Sequence, residues 1–221
     1  MILGELSGPP LLPTDRVGLA TVLLALACLV GCGPREPATP HYENLVVVLV
    51  DTLRSDHLPS YGYERDTAPY LAELAAEGIQ VQGYSASSWT KASVGTLLTG
   101  LYPQRHQAIS RSDSLPAEVP YLPQVLAGHG FSTAAYVGNK NVGWAFGFER
   151  GYSEFYQYRP ASKVDAPVVT DRSLSLADGL EPPFFLYAHY VDPHDPYKPA
   201  EDWPDPEVEA LAAVQPRFFQ G

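Results

Sequence analysis

Two polar clusters, about forty residues apart, carry side chains that could bind a ligand or take part in catalysis. Asp51 directly follows the apolar run Leu45 to Val50, and Thr90 lies within the segment SSWTKASVGTLLTG, residues 87–100. Six consecutive apolar residues, mostly β-branched, are typical of a strand buried on both faces of a parallel sheet. Open α/β sheets bind ligands beyond the carboxyl ends of their strands, so we expect Asp51 at such a site.

The residues after Thr90 predict a helix from Ala92 to Leu98, and its N-terminus points back at Thr90. Free N–H groups and a partial positive charge make such a terminus an anion site. A third apolar strand, Pro183 to Tyr190, also ends in polar residues, among them His194. The start of the predicted helix, next to Thr90, therefore predicts an anion site.

The elements that would position these residues alternate along the chain. Thr67 is a plausible cap for a helix that Gly78 ends, and the aromatic, glycine-rich loop 144–152 is predicted to pack its rings on the domain. The other predicted elements are a short strand at 79–84, a helix at 120–128, a strand at 131–137 and a helix at 168–179.

The N-terminal segment predicts export. Arg16 precedes a 15-residue apolar stretch, Val17 to Gly31. A spanning helix needs about 20 residues, so this stretch better fits the apolar core of a signal peptide. It ends in LVGC, which resembles a bacterial lipoprotein box whose Cys32 takes the lipid. We therefore predict a signal peptide at 1–31, a Pro-rich tether at 32–43 and a domain at 44–221. The lipid anchor would hold the domain on a membrane of the bacterial envelope, facing periplasm or exterior. A plain signal peptide or anchor helix is the alternative.

Composition excludes some partners and restricts the metal chemistry. The 221 residues carry a formal charge of -11, which argues against nucleic acid. An acidic chain can still take an anionic substrate, because a bound metal reverses the local sign. The only cysteines, Cys28 and Cys32, lie in the N-terminal segment, so the domain has neither a disulfide nor a cysteine zinc site. Oxygen ligands favour calcium, magnesium or manganese, with zinc through His as a further alternative.

Five segments in this order resemble the N-terminal half of the sulfatase family, in the alkaline-phosphatase-like superfamily. The resemblance covers roughly residues 44–199 and implies an α/β sandwich with a central, mostly parallel sheet flanked by helices, a calcium or similar divalent ion, and a nucleophile at the start of a helix. The five segments are NLVVVLVDTLRSDH, TAPYLAELAAEG, SSWTKASVGTLLTGLYPQRH, FSTAAYV with GFERGY after it, and FFLYAHYVDPHDPY.

The resemblance places Thr90 at the nucleophile. The sulfatase signature is Cys or Ser, any residue, Pro, Ser, Arg; here Ala92 replaces the Pro and Val94 replaces the Arg. Threonine does not become formylglycine by the usual route, so the chain looks more like branches in which an unmodified Thr attacks phosphorus. A metal-bound hydroxyl is a reasonable nucleophile for that task. The alternative is that Thr90 only caps the following helix.

The resemblance also implies roles for Asp51 and His194. Asp51 matches the first metal carboxylate and would share the ion with Thr90, although Thr52 stands where sulfatases have a second Asp. His194 matches the histidine that donates a hydrogen bond to the transferred group or its leaving oxygen; a surface-loop His is the alternative. We interpret His189, inside its strand, as a residue that satisfies a core hydrogen bond.

Other positions depart from the family pattern. The Gly-Lys-X-His segment falls at 138–141, where Lys140 is one position late and the His is absent. His57 and His106 are interpreted as residues that close loops near the site. No Asp-His-Gly or Asp-Asn-Gly, which would bring the remaining metal ligands, occurs after residue 199. The domain is therefore expected to be truncated at its C-terminus, with an incomplete metal site.

The function predicted first is a sulfatase-like, metal-dependent hydrolase of sulfuric or phosphoric esters in the cell envelope. Its substrate would be a sulfate or phosphate ester, with glycans and lipid head groups as candidates. The alternatives are a catalytically inactive fragment, an envelope lipoprotein that binds an anionic ligand, and a phosphoryl-group transferase that uses a Thr nucleophile. A fragment that folds poorly, with an open sheet edge, is the remaining alternative.

Overall fold

The computed structural model describes residues 43–158 and 165–195. The predictions for Cys28, Cys32, the signal peptide, the tether up to residue 42 and the segment after 195 lie outside these ranges. Across the described part of the chain, no helix combines the length and apolarity that a membrane crossing requires.

A parallel four-stranded sheet lies at the centre of the fold, with strand order β1-β4-β2-β3. This sheet confirms the predicted α/β class and the existence of three predicted strands, which correspond to β1, β2 and β4, whereas β3 was not predicted. The strands are β1 (Asn44–Val50), β2 (Ser132–Val137), β3 (Glu154–Gln157) and β4 (Phe184–Tyr190).

Helices flank the sheet on both faces. Alternate residues of a strand point to opposite faces, and β2 shows this directly: Ala135 and Val137 join the larger core cluster, and Tyr136 joins a smaller one. The larger cluster contains Val94 and Leu98 of α2, and the smaller one contains Val169 of α5. The helices are α1 (Pro69–Glu77), α2 (Thr90–Thr99), α3 (Pro103–His106), α4 (Leu122–Gly128) and α5 (Ala166–Gly179).

The prediction that β1 is buried on both faces is wrong. Among the described strands β1 pairs with β4 alone and forms the edge of the sheet. Val47 packs against the larger core, but Val46 is 52% exposed and Val48 is 59% exposed. An uninterrupted apolar run therefore does not distinguish a central strand from an edge strand.

Two local predictions between β1 and α2 are also wrong. Residues 79–84 form no strand, and Ile79 is 93% exposed. Within residues 43–158 and 165–195, no strand pairs with this segment to share a hydrogen-bond ladder. Thr67 does not cap α1, which begins at Pro69 after Ala68. The Thr67 hydroxyl instead donates to the carbonyl oxygen of His57.

The aromatic loop 144–152 packs on the domain, as predicted. The Phe148 side chain is fully buried, and its carbonyl oxygen accepts a hydrogen bond of 2.8 Å from the Tyr121 hydroxyl. The Tyr152 ring stacks on Phe185 of β4 with a centroid separation of 5.8 Å. This loop closes one side of the larger core.

Candidate functional site

Asp51 lies at the carboxyl end of β1 and is 8% exposed. Its backbone N–H donates to the Tyr190 carbonyl oxygen at 2.9 Å, which continues the pairing of β1 with β4. Carboxylate oxygen Oδ2 lies 2.8 Å from Asn139 Nδ2, 3.1 Å from Thr90 Oγ1 and 3.5 Å from His189 Nε2. Three different elements thus converge on one oxygen of Asp51.

Asp51 is held in its ionised form. Burial by itself raises the pKa of this carboxyl, but the contacts from His189, Asn139 and Thr90 together outweigh it, so the pKa lies below its ordinary value. The site therefore has a fixed negative charge, which favours a cation or a donor hydroxyl at Asp51.

Thr90 is the first residue of α2, and the N-cap position belongs to Trp89, which has no side-chain capping bond. The alternative that Thr90 only caps the helix is therefore wrong. The Thr90 hydroxyl donates to Asp51 instead, while the Ser93 hydroxyl contacts the carbonyl oxygens of Trp89 and Thr90. As a result, Thr90 Oγ1 lies at the end of the helix where backbone N–H groups are free and the dipole is positive.

His189 makes the predicted core hydrogen bond and also reaches the site, which the sequence did not indicate. Nδ1 lies 3.0 Å from the buried Tyr187 hydroxyl, and Nε2 faces Asp51. An ionised carboxylate favours the tautomer with its proton on Nε2, so the Tyr187 O–H donates to Nδ1. A signal for this contact does exist: His189 is the penultimate residue of a strand parallel to the one that Asp51 ends.

Asn139 is the second residue that sequence reasoning missed at the site. It follows the end of β2, and its Oδ1 accepts the backbone N–H of Asn141 at 2.9 Å. That bond fixes the amide with Nδ2 toward Asp51. The position was considered only as part of segment 138–141; the available signal was a polar residue just after a strand whose carboxyl end lies at the same edge.

The remaining predicted histidines lie in different environments. His194, in the loop after β4, has Nδ1 2.8 Å from the Asp195 carbonyl oxygen, and its contact with a transferred group remains a prediction. His106 is fully buried: Nε2 lies 3.1 Å from the Ala92 carbonyl oxygen and Nδ1 accepts the Ala108 N–H. His106 therefore stabilises the helix that carries Thr90 and is closed to substrate.

The described residues fit the predicted divalent ion in part. Asp51 and Thr90 offer hard oxygens, and Asp51 Oδ1 has only a long contact of 3.4 Å to Thr90 Oγ1, so it retains capacity for a further ligand. Within residues 43–158 and 165–195, no three His, Cys, Asp or Glu side chains group as a metal site. Calcium takes six to eight oxygens, so water, substrate or other parts of the protein would complete the shell.

The parallel sheet with helices on both faces is an α/β fold of the alkaline-phosphatase-like class. Solved structures support this class. The structure of BT4656 in complex with its substrate D-glucosamine-2-N,6-O-disulfate aligns with a TM-score of 0.64 and 18% identity, covering 72% of this chain and 36% of that one. The phosphonate monoester hydrolase of Agrobacterium radiobacter aligns with a TM-score of 0.60 and 15% identity, covering 73% and 43%.

The Sulfatase family model matches residues 43–211, and the chain belongs to the sulfatase family. A curated relative, the low-salt glycan biosynthesis sulfotransferase Agl7 of Haloferax volcanii, is 28% identical over 159 residues, which are 71% of this chain and 31% of the relative. Arylsulfatase A of Bos taurus is 34% identical over 123 residues, which are 52% of this chain and 23% of the relative. The chain spans about a third or less of the length of these relatives.

Proposed function

We propose that this chain carries the nucleophile-bearing part of a metal-assisted hydrolase of sulfuric or phosphoric esters. The observation that carries the proposal is the 3.1 Å hydrogen bond between Thr90 Oγ1 and Asp51 Oδ2 at the start of α2. It joins a hydroxyl to an ionised carboxylate at a helix end that favours anions. Membership of the sulfatase family supports the ester chemistry.

The ion would be held by Asp51 and Thr90, with calcium as the first expectation and magnesium, manganese or zinc as alternatives. When bound, it would lower the pKa of the Thr90 hydroxyl and neutralise the ester oxygens. The hard oxygen donors support calcium, magnesium and manganese over zinc.

Thr90 would attack in line. A bond forms between Thr90 Oγ1 and sulfur or phosphorus as the bond to the alcohol oxygen breaks, the alcohol leaves with a proton, and water later releases the group. Asp51 accepts the hydroxyl hydrogen bond and orients the attacking oxygen; its lowered pKa makes it a weak base. The free N–H groups of α2 would stabilise the charged oxygens, and His194 would donate to the transferred group or the leaving oxygen.

The proposed substrates are sulfated sugars, which the names of the relatives support. An N-acetylgalactosamine-6-O-sulfatase of Bacteroides thetaiotaomicron is 29% identical over 94 residues, which are 40% of this chain and 18% of the relative. The relative from Haloferax volcanii is named a sulfotransferase, and this favours a second candidate, transfer of the group from Thr90 to an acceptor hydroxyl. A Thr nucleophile could likewise transfer a phosphoryl group to an acceptor hydroxyl.

The proposed location is the bacterial cell envelope, where a lipid anchor on Cys32 would hold the protein on a membrane, facing periplasm or exterior. The support is the apolar stretch at 17–31 followed by Cys32. Membrane fractions of cells that express the full chain should retain the wild type, whereas Cys32→Ser should move it to the soluble exported fraction. Equal fractionation of the two proteins would contradict the anchor.

The test of catalysis uses the full chain with calcium and either 4-nitrophenyl sulfate or 4-nitrophenyl phosphate. We expect Thr90→Ala to lower kcat by about a thousandfold or more and Thr90→Ser to retain part of the activity. Thr170→Ala is the control, because the Thr170 hydroxyl contacts Ala166 and Tyr190 on α5 and β4. Activity that survives Thr90→Ala would rule out this nucleophile. An inert wild type that binds sulfate would favour the anion-binding alternative.

A further inference from the structure

Lys91 directs its charge into the protein, although it directly follows Thr90. It is fully buried, and Nζ lies 2.7 Å from the Arg111 carbonyl oxygen and 2.9 Å from the Asp113 carbonyl oxygen. Nζ also lies 3.1 Å from the centroid of the Phe146 ring. The first turn of α2 is thereby fastened to the chain segment that contains Arg111.

The segment 109–113 is also closed on itself, and we call it the Arg111 loop. Asp113 Oδ2 accepts the backbone N–H groups of Ile109 at 3.1 Å and Ser110 at 2.7 Å. Because Asp113 closes the loop internally and Lys91 holds two of its carbonyl oxygens, the backbone of Arg111 has a defined position relative to Thr90.

The Arg111 side chain is exposed, and its Cζ lies 5.7 Å from the centre of the Trp89 ring. Trp89 is the residue immediately before Thr90. In the described part of the chain no carboxylate pairs with this guanidinium. Among the described residues Arg111 thus has no counter-ion, in a chain of net charge -11, and its guanidinium lies near the ring that adjoins the proposed nucleophile.

We propose that Arg111 is a specificity-determining residue that binds anionic oxygens of the substrate beside Thr90, and that Lys91 is its positioning residue. A guanidinium presents paired N–H donors that match two oxygens of a sulfate, phosphate or carboxylate. This assignment rests on the proposed function for the placement of the substrate at Thr90, whereas anion binding itself requires no ester cleavage. Two sources of the oxygens are compatible with it: the reacting ester, or a second acidic group on the same sugar.

Calorimetric titration of the full chain in a Thr90→Ala background, with inorganic sulfate and with glucosamine 2-N,6-O-disulfate, tests Arg111. Arg111→Gln should weaken binding of at least one probe about tenfold or more. Arg111→Lys keeps the positive charge but loses the paired N–H donors, so its affinity should lie between those of the wild type and Arg111→Gln. Arg105→Gln, at an exposed arginine of α3, is the matched control and should change affinity less than twofold. Loss of both probes indicates the reacting group, and loss of the disulfate alone indicates a second acidic group.

Unchanged affinity in Arg111→Gln, or the absence of saturable binding of both probes in the Thr90→Ala background, would overturn the assignment. For Lys91, we expect Lys91→Met to reduce anion affinity as Arg111→Gln does, with no further loss in the double variant, because both act through one contact. If the losses of affinity in the two single variants added up in the double variant, Lys91 would act on the structure independently of Arg111. Asp113→Ala opens the same loop from its other side and replaces Lys91→Met if that variant does not fold.

The proposed function can fail independently. Arg111-dependent binding by a wild type that hydrolyses no ester would remove the hydrolase and leave the anion site. Hydrolysis that depends on Thr90, with a kcat/KM that Arg111→Gln leaves unchanged, would support the hydrolase and remove the role of Arg111.

Discussion

The ring of His106 occupies the space that a side chain at Gly95 would need. A Cβ atom at Gly95 would lie 2.9 Å from His106 Cε1 and 3.1 Å from Nε2. The same Nε2 lies 3.1 Å from the Ala92 carbonyl oxygen and 3.2 Å from the Thr96 hydroxyl. The close approach of α3 to α2 therefore requires a glycine within α2, although glycine lowers helix stability.

Gly95→Ala should lower the free energy of unfolding by about 1–3 kcal/mol, because the His106 ring must move and lose its contact with Ala92. Chemical denaturation measures the change. Gly128→Ala is the matched control: Gly128 ends α4, and a Cβ there meets no atom within 4 Å. We expect that control to be neutral or slightly stabilising. A Gly95→Ala variant as stable as wild type would contradict the packing of His106.

His106 should also make the protein lose stability as the pH falls below about 6.5. Burial lowers the pKa of this imidazole from its ordinary 6.5, despite opposing backbone hydrogen bonds. The unfolded chain then binds a proton that the folded one does not, so stability is complete above pH 6.5 and declines toward the lower folded pKa. The lowered pKa of Asp51 makes protonation of that residue reduce stability only below about its ordinary pKa of 3.8. The pH ranges in which His106 and Asp51 affect stability are therefore separate.

Melting temperatures between pH 7.5 and pH 5 should therefore fall in the wild type and fall less in His106→Gln, which keeps a donor for Ala92 without a titrating group. A parallel pH dependence of the two proteins would assign the loss to another group.

The sequence indicated Asp51 and Thr90 as site residues but did not reveal Asn139 and His189. The strand end at Asp51 predicted a ligand site and the helix start at Thr90 predicted an anion site, and the resemblance to sulfatases brought the two residues to one ion. Asn139 and His189 were missed, because their polar character at a strand end is a weak signal and their approach to Asp51 depends on which strands neighbour β4. That order follows from long-range pairing, which local patterns do not encode. The same gap explains why β1 was expected to be buried on both faces.

Thr52, directly after Asp51, has a left-handed backbone with φ of +60°. A β-branched residue is poorly suited to that region, whereas asparagine tolerates it. Thr52→Asn should therefore raise the free energy of unfolding by about 1 kcal/mol, because a left-handed conformation costs an ordinary L residue roughly 1–2 kcal/mol and asparagine less. Gln107→Asn is the control, because Gln107 has φ of +61° without a branched Cβ and should gain less. Equal changes at both positions would contradict strain specific to Thr52.

A charge introduced on the exposed face of β1 should affect stability much less than a charge on its buried face. Val47 packs against the larger core, and Val48 is 59% exposed at the edge of the sheet. In the 221-residue chain, Val48→Lys should change stability by less than about 0.5 kcal/mol and reduce self-association seen by light scattering, because charge protects an edge strand. Val47→Lys should cost several kcal/mol, because it buries an unpaired ammonium. If Val48→Lys also destabilised the chain severely, this face of β1 would be covered by another part of the protein or by a second copy, and analytical ultracentrifugation of the wild type would distinguish the two.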